Sequence, residues 1–188
     1  MPDFTDLTGK LLIAMPGMTD PRFSSAVVFL CAHSNDGAMG LMINRRSRGV
    51  HLSDILKQLS IDRDEGAGDM PVLSGGPVEE ERGFVLHSPD YESAISTLQV
   101  ASGLCMTATM DVMEDIAAGR GPEKAIVMLG YCGWGAGQLE SELGLNAWLT
   151  CDAPNDLVFS QETDGKWQAA LKTLGVTPAS LSGFSGRA

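Results

Sequence analysis

The chain has 188 residues, of which 44% are hydrophobic and 20% are charged, a composition that suits one folded domain rather than a disordered chain. Its 24 acidic and 13 basic side chains give a net charge of −11. Because this charge repels phosphate backbones, direct nucleic-acid binding is disfavoured, and the expected partner is a protein or a small molecule.

The four cysteines are far apart in the chain and form no CxxC pair, so the sequence predicts neither a zinc ribbon nor a thioredoxin-type motif. Asp3 and Asp6 stand where a signal peptide would carry positive charge. No segment reaches the roughly 20 apolar residues of a membrane span. We therefore expect a cytoplasmic protein with reduced thiols and no membrane contact, and a monomer is the simplest oligomeric state.

Three short apolar runs open the chain and predict strands at Leu11 to Ala14, Ala26 to Ala32 and Met39 to Asn44. The turn residues Ser34 to Gly37 predict a hairpin between the second and third strands. The basic cluster Arg45, Arg46 and Arg48 follows. It fits a solvated turn better than a phosphate-binding patch, which needs a larger basic face.

A helix is predicted from an N-cap at Ser53 through Lys57 or Leu59, followed by a mobile polar loop from Ile61 to Met70. Strand-like runs then return; they are Val72 to Ser74, Gly83 to His87, Ser93 to Val100 and Leu104 to Thr109. A helix starting at Thr109 or Asp111 should end at Ala118. Its predicted buried stripe comprises Met110, Met113, Ile116 and Ala117.

The last third of the chain alternates predicted strands and helices. Strands are predicted at Ala125 to Leu129, Ala147 to Cys151 and Asp156 to Ser160, and helices at Ala136 to Leu143 and Lys166 to Leu174. The tail, residues 182–188, is predicted to be loose. This order favours an α+β fold: a single compact domain, residues 1–188, with a mixed, largely antiparallel sheet or partial barrel and packed helices.

Two histidines are candidates for chemistry. Cys31 and His33 are two residues apart on a predicted strand, so they should share a face, either as an activated thiol or as a core cysteine beside a hydrogen-bonded histidine. The second interpretation is favoured because free cysteines are usually buried. His87 ends a strand and is either a general base near Cys132 or a backbone-bonded histidine.

Two glycine-containing blocks complete the candidate functional surface, which comprises Gly75, Gly76, Pro77, His87, Cys132, Gly133, Trp134 and Gln138. The first block follows a strand and fits either an anion-binding turn or a conformationally demanding one; the second interpretation is favoured, since no phosphate-loop lysine follows. In the second block, Cys132 is the best candidate for a reactive thiol, near a predicted helix start. The alternative is that its glycines serve close packing. The sequence indicates no catalytic set, cofactor or metal site.

Four blocks of the chain, in order, resemble the YqgE/AlgH family of bacterial proteins. They are Gly9 to Pro16 with Asp20-Pro21-x-Phe23; Gly37 to Asn44; Gly75 to Val78 with Gly83 to His87; and Gly133-Trp134-x-x-Gly137-Gln138-Leu139-Glu140 through Trp148-Leu149. The resemblance covers essentially the whole chain. It implies a compact cytoplasmic domain of mixed strands and helices. Members are described as transcriptional regulators because of a link to alginate production, and the family has no agreed catalytic residues or cofactor.

The resemblance also bears on His33. Relatives often carry an acidic residue before this histidine, whereas this chain has Ala32, which argues against a Glu–His pair there. The leading hypothesis is a noncatalytic regulatory or interaction protein that affects transcription indirectly. The alternatives are a thiol-dependent enzyme or redox sensor using Cys132, and a small-molecule-binding protein.

Overall fold

A computed structural model describes residues 4–182, which contain ten strands and six α-helices. The strands are β1 (Leu11–Ala14), β2 (Val27–Ser34), β3 (Gly37–Met42), β4 (Arg46–His51), β5 (Pro71–Ser74), β6 (Val78–His87), β7 (Leu98–Ala101), β8 (Leu104–Thr107), β9 (Ala125–Gly135) and β10 (Trp148–Cys151). The helices are α1 (Leu52–Gln58), α2 (Met110–Ala117), α3 (Gln138–Gly144), α4 (Asn155–Phe159), α5 (Lys166–Thr173) and α6 (Pro178–Ser182). A short 3-10 helix, Pro21–Phe23, lies between β1 and β2.

The strands form one sheet in the order β10-β1-β2-β3-β9-β6-β8-β7, with β4 and β5 attached beside β9. Every pairing is antiparallel except that of β5 with β9. The sheet is not closed, since it ends at β10 on one side and β7 on the other. The predicted α+β class, with a single domain and a mixed, largely antiparallel sheet, is confirmed.

The longest strand, β9, organises the sheet because it pairs with β3, β5 and β6. Its apolar first half was predicted from Ala125 to Leu129, but the strand continues to Gly135. At Gly130 the backbone is left-handed, with φ 78°, and the facing strand β6 shifts register between Val78 and Gly83. Glycine tolerates this left-handed conformation. β9 therefore continues through the bulge at Gly130, where the strand would otherwise end.

The core has apolar clusters on both faces of the sheet. The largest cluster packs one face against α4, α5 and α6, through side chains such as Val158, Leu171 and Leu181. On the other face, α1 and α2 cover Val85 and Val127, and α3 covers the region around Trp134. None of the helices that the structure describes combines the length and the apolar character needed to span a bilayer.

The hairpin of β2 and β3 is confirmed, with Ser34 paired to Gly37. The predicted helix at Ser53 is also present, but its N-cap is His51, whose backbone N–H donates to the Asp54 carboxylate at 2.9 Å. Residues 59–70 contain neither helix nor strand; the mobility of the predicted loop stays a prediction.

Three other predictions of local structure were wrong. The predicted strand from Asp156 to Ser160 is instead occupied by α4, Asn155–Phe159, and this helix buries Val158 against the sheet. Most of Ser93 to Val100 is irregular because Ser93 Oγ accepts the backbone N–H groups of Ile95 and Ser96, leaving a strand only at β7. Met110 is half exposed, so the buried stripe of α2 consists of Val112, Met113 and Ala117.

The basic cluster does not form the predicted solvated turn: Arg45 immediately precedes β4, and Arg46 and Arg48 lie within β4, a strand that the sequence did not predict. Arg45 donates to the backbone oxygens of Arg22 and Ser24, and Arg46 donates to Thr163 and Gln161. These arginines therefore fasten separate chain segments together. The helix α6 was also not predicted, and the predicted loose tail lies outside the described residues except for Ser182.

Candidate functional site

The Gly75–Gly76–Pro77 turn crosses β9 at very short range. A Cβ atom at Gly76 would lie 2.2 Å from the Tyr131 backbone, and one at Gly75 would lie 2.3 Å from the Gly130 carbonyl oxygen. The Gly75 N–H donates to Leu129 O at 2.8 Å. Glycines are required here because two backbones meet, in keeping with the conformationally demanding turn predicted for this block, and the Gly75 amide donates within the sheet rather than to an anion.

Cys132 lies beside this crossing in the C-terminal half of β9, and α3 begins only at Gln138, so the thiol is not next to a helix start as the sequence suggested. Its side chain is completely buried, and Sγ lies 3.4 Å from Gly75 O, to which the thiol donates. Desolvation raises the pKa of the Cys132 thiol to about 12. Since the thiolate is the nucleophile, this burial argues against the hypothesis of a reactive Cys132.

His87 is remote from Cys132. It pairs with Ala125 across the sheet, and Cys132 lies seven residues further along β9, or about 23 Å at 3.3 Å per residue. The imidazole is fully buried; Nδ1 donates to Ser88 O, and Nε2 accepts from the Thr107 hydroxyl, both at 2.8 Å. His87 is therefore a hydrogen-bonded structural histidine, and it does not join the other candidates in one cleft.

Gly133, Trp134 and Gln138 lie where β9 passes into α3. The two indole N–H groups of Trp134 and Trp148 donate to the same carboxylate oxygen of Glu142, at 3.0 and 2.8 Å. Gln138 accepts the Gly135 N–H and donates to Glu142. The polar side chains of this block thus anchor α3 to β9 and β10, and they leave Glu140 on the same helix for another contact.

That contact is with His33. His33 Nε2 lies 2.7 Å from Glu140 Oε1, and Nδ1 accepts the Leu7 backbone N–H at 3.0 Å. Because Nδ1 is an acceptor, a neutral ring carries its proton on Nε2 and donates it to Glu140. The backbone N–H of Glu140, followed by the bond from His33, lowers the pKa of the Glu140 carboxyl below its ordinary value.

The pair opens onto a surface cleft, which we call the His33–Glu140 cleft. The cleft has a volume of about 540 Å³ and is lined by Phe4, Thr5, Leu7, His33, Asn35, Gly137, Glu140, Leu143 and Thr150. The centroid of the Phe4 ring lies 4.7 Å from the centroid of the His33 imidazole. Its size and its mixture of apolar walls with a few polar groups are typical of small-molecule sites.

The predicted common face of Cys31 and His33 is interrupted by a β-bulge. Leu30 pairs with Gly40 and Ala32 pairs with Met39, so Cys31 is the extra residue. Cys31 joins the large core cluster, and its burial raises the pKa of the thiol to about 12. His33 instead reaches the cleft, so the two side chains form no thiol–imidazole pair.

Sequence reasoning missed Glu140 as the acidic partner of His33, although Glu140 belongs to one of the family-like blocks. The two residues are separated by 107 positions, and no local pattern joins them. Phe4 and Asn35 were missed for the same reason. In residues 4–182, no three metal-binding side chains form a group that could hold an ion.

Comparison with known proteins identifies relatives of this chain. Residues 11–179 match the model of the AlgH-like family. A UPF0301 protein of Ruegeria pomeroyi is 56% identical over 184 residues, 97% of this chain and 100% of the relative, and one of Jannaschia sp. is 52% identical over 190 residues, 100% of this chain and 99% of the relative.

Solved structures show the same fold. The solution structure of AlgH from Pseudomonas aeruginosa is 44% identical, has a TM-score of 0.79, and matches 100% of this chain and 97% of that one. A protein from Corynebacterium diphtheriae shares the fold at 19% identity, with a TM-score of 0.73 over 92% of this chain and 90% of that one.

The open sheet, with helices on both faces and a cleft between α3 and the end of β2, defines a single-domain α+β protein. Within that class, the family model and the two relatives decide the assignment. The chain belongs to the AlgH-like family.

Proposed function

We propose that this protein is a noncatalytic regulatory protein that binds a small molecule in the His33–Glu140 cleft and affects transcription indirectly through a protein partner. One observation carries the proposal: a buried histidine, saturated by two hydrogen bonds, holds a partly exposed carboxylate at the wall of an open cleft. Such groups orient a ligand.

The same bonds argue for binding rather than catalysis. A general base needs a free lone pair, but the Nδ1 lone pair of His33 accepts the Leu7 N–H and Nε2 donates to Glu140. The buried Cys132 thiol offers no alternative nucleophile. In this arrangement, His33 positions the Glu140 side chain without being available to move a proton.

The lining groups indicate the ligand's chemistry. The Glu140 side chain is 44% exposed, and its hydrogen bond to His33 engages Oε1, so the carboxylate retains acceptor capacity. Phe4 and Leu143 supply apolar surface nearby. A small organic molecule with an ammonium or another hydrogen-bond donor at one end and an apolar body fits this combination.

The net charge supports indirect action on transcription. With 24 acidic and 13 basic side chains, the chain repels DNA, and specific operator binding normally depends on many phosphate contacts from Lys and Arg. Regulation through a protein partner needs no such surface.

A thermal-shift screen of a metabolite library against the wild type and the Glu140→Gln variant tests the ligand site. We expect a compound that raises the melting temperature of the wild type and of the control Glu162→Gln, whose substituted side chain is exposed outside the cleft, but shifts Glu140→Gln less. A library without any shift contradicts the ligand site. Conversion of a bound compound to product would contradict a noncatalytic function, and specific promoter binding at physiological salt would contradict indirect action.

A further inference from the structure

A second open depression lies between α1 and α2, on the part of the sheet formed by β6, β8 and β9. We call it the α1–α2 groove. Its volume is about 430 Å³. Its floor is formed by Val85, Val127 and Leu129, and its walls include Leu59 just beyond α1 and Met110 on α2. The His33–Glu140 cleft shares no lining residue with it.

The walls of the groove expose large apolar side chains. Met110 is 50% exposed and Leu59 is 38% exposed, although Leu56 and Val112 on the same helical segments are buried. Single exposed apolar residues are common, but two that face each other across an apolar floor form a hydrophobic patch with a defined shape. Methionine is well suited to such a surface because its unbranched side chain adapts to different partners.

One edge of the groove is acidic. Where β6 shifts register against β9, residues 79–82 leave the ladder, and Glu80 and Glu81 from this bulge line the groove. Both are exposed, and neither forms an ion pair with any residue in the described range 4–182. The groove therefore combines an apolar floor with two carboxylates that take part in no ion pair within residues 4–182, since the adjacent Arg82 is paired with Glu79.

We propose that the α1–α2 groove is a docking site for a basic amphipathic helix of another protein, whose apolar side chains enter the groove while Lys or Arg side chains meet Glu80 and Glu81. A helix presents apolar anchors at i, i+3, i+4 and i+7, and an apolar groove between two helices accommodates such a stripe. The proposal rests on the proposed function in one respect, because it supplies the surface for the protein partner invoked there.

Charge favours this occupant over the alternatives. A second copy of the chain carries the same net charge of −11 and would bring acidic surface to an acidic rim. Nucleic acids are repelled for the same reason. A cationic segment is attracted by the whole molecule as well as by Glu80 and Glu81, and burial of its apolar side chains supplies affinity that salt does not screen.

A synthetic helical peptide of about 14 residues, four turns at 3.6 residues per turn, provides the probe. It carries Leu on one face and Lys elsewhere; a matched peptide replaces each Lys by Glu. Binding is measured by fluorescence anisotropy at low and high ionic strength. Backbone amide chemical shifts of the ¹⁵N-labelled protein locate the site, and we expect the changes in α1, α2 and residues 79–85.

Matched variants separate the two contributions. Met110→Ser should weaken binding of the Lys peptide by about tenfold at every salt concentration, since it removes exposed apolar surface without opening the core. The double variant Glu80→Gln/Glu81→Gln should weaken it a few-fold at low salt and less at high salt. Leu145→Ser, at a side chain that is 78% exposed outside the groove, and Glu162→Gln serve as controls and should leave the affinity unchanged.

Each of the following results would overturn the proposal: no binding of the Lys peptide, equal binding of the Glu peptide, chemical-shift changes away from the groove, or control variants that reduce the affinity as much as the groove variants do. A wild-type dimer in analytical ultracentrifugation that Met110→Ser dissociates would assign the groove to a second copy instead. The thermal-shift experiment on Glu140→Gln does not involve the groove. A negative result for the docking proposal can therefore be distinguished from a negative result for the ligand site proposed in the His33–Glu140 cleft.

Discussion

Burial changes the chemistry of single residues in opposite directions, depending on their charge. Cys132 and Lys166 are both shielded from water. Desolvation disfavours the charged form of each, so it raises the pKa of the Cys132 thiol to about 12 and lowers the pKa of the Lys166 amine to about 8. Lys166 Nζ donates to Ile43 O at 3.0 Å and Val158 O at 2.8 Å, which ties α4 and α5 to the sheet.

Because the thiols of Cys132 and Cys31 are buried, we expect them to be alkylated slowly. In native protein at pH 8, we expect N-ethylmaleimide to modify Cys132 and Cys31 far more slowly than it modifies glutathione, because the thiolate is almost absent and the sulfur has no solvent access. Mass spectrometry of peptides over time measures each rate. In urea both residues should react at ordinary rates. A native Cys132 that reacts as fast as glutathione would contradict the buried position.

Lys166 predicts a particular pH dependence of stability. Its pKa is about 8 in the folded state and 10.5 for an ordinary lysine, so between these values the unfolded chain binds more protons. The free energy of unfolding should therefore rise with pH from 8 to 10.5, by about 3 kcal/mol relative to Lys166→Met.

Urea denaturation of the wild type and Lys166→Met at several pH values measures this difference. The comparison removes the contributions of all other titrating groups, which both proteins share. A constant difference between pH 7 and pH 10.5 would show that the Lys166 amine titrates alike in the folded and unfolded states.

At the scale of elements, the crossing of the β5–β6 turn over β9 determines the middle of the sheet. Gly75, Gly76 and Gly130 bring two backbones together, and Met42 N–H donates to Gly75 O at 2.8 Å from the other side. This close packing also buries Cys132. Gly75 and Gly76, which the sequence placed on the candidate functional surface, thus serve to pack the β5–β6 turn against β9.

Two glycines of that candidate surface should respond differently to alanine. Gly76→Ala places a Cβ 2.2 Å from the Tyr131 backbone, so we expect a loss of about 3 kcal/mol or more, or failure to fold. Gly133→Ala is the matched control: the nearest atom is a Tyr131 side-chain carbon at 3.6 Å, and the cost should stay below about 1 kcal/mol. Denaturation followed by circular dichroism compares them; equal losses would contradict the crossing.

At the scale of the whole molecule, segments distant in sequence are joined repeatedly. β1 pairs with β10, and the Trp167 indole on α5 donates to Ala14 O at 2.8 Å. The largest core cluster draws residues from Leu11 to Leu181. Because the beginning, middle and end of the described chain share this cluster, the domain should behave as one cooperative unit.

Thermal unfolding should accordingly show one transition. We expect far-UV and near-UV circular dichroism to give the same midpoint, and the calorimetric enthalpy to equal the van't Hoff enthalpy. Two separated transitions would divide the chain into independent units and contradict the single domain predicted from its length.

Much of the fold was predictable from local patterns. β1 was predicted with its observed bounds, α5 to within one residue, and the β2–β3 hairpin from its turn residues, because side-chain periodicity and turn chemistry act over a few positions. α4 was missed since a short segment with three consecutive apolar residues, Leu157 to Phe159, fits strand or helix equally well, and packing against the sheet decided the outcome. Among the residues that line the His33–Glu140 cleft, the sequence singled out only His33 as a site candidate. It paired His33 with Cys31, whereas the structure pairs it with Glu140.

The sequence by itself determined the family, the α+β class and the acidic charge, since these depend on ordered motifs, periodicity and composition. Only the tertiary structure decided which candidate side chains reach solvent and which meet. In the folded chain, Cys132 is buried beneath the Gly75 turn and His87 lies far from Cys132, whereas Glu140 lies beside His33. The physical reason is that burial and hydrogen bonding depend on contacts between distant segments, which local spacing does not specify.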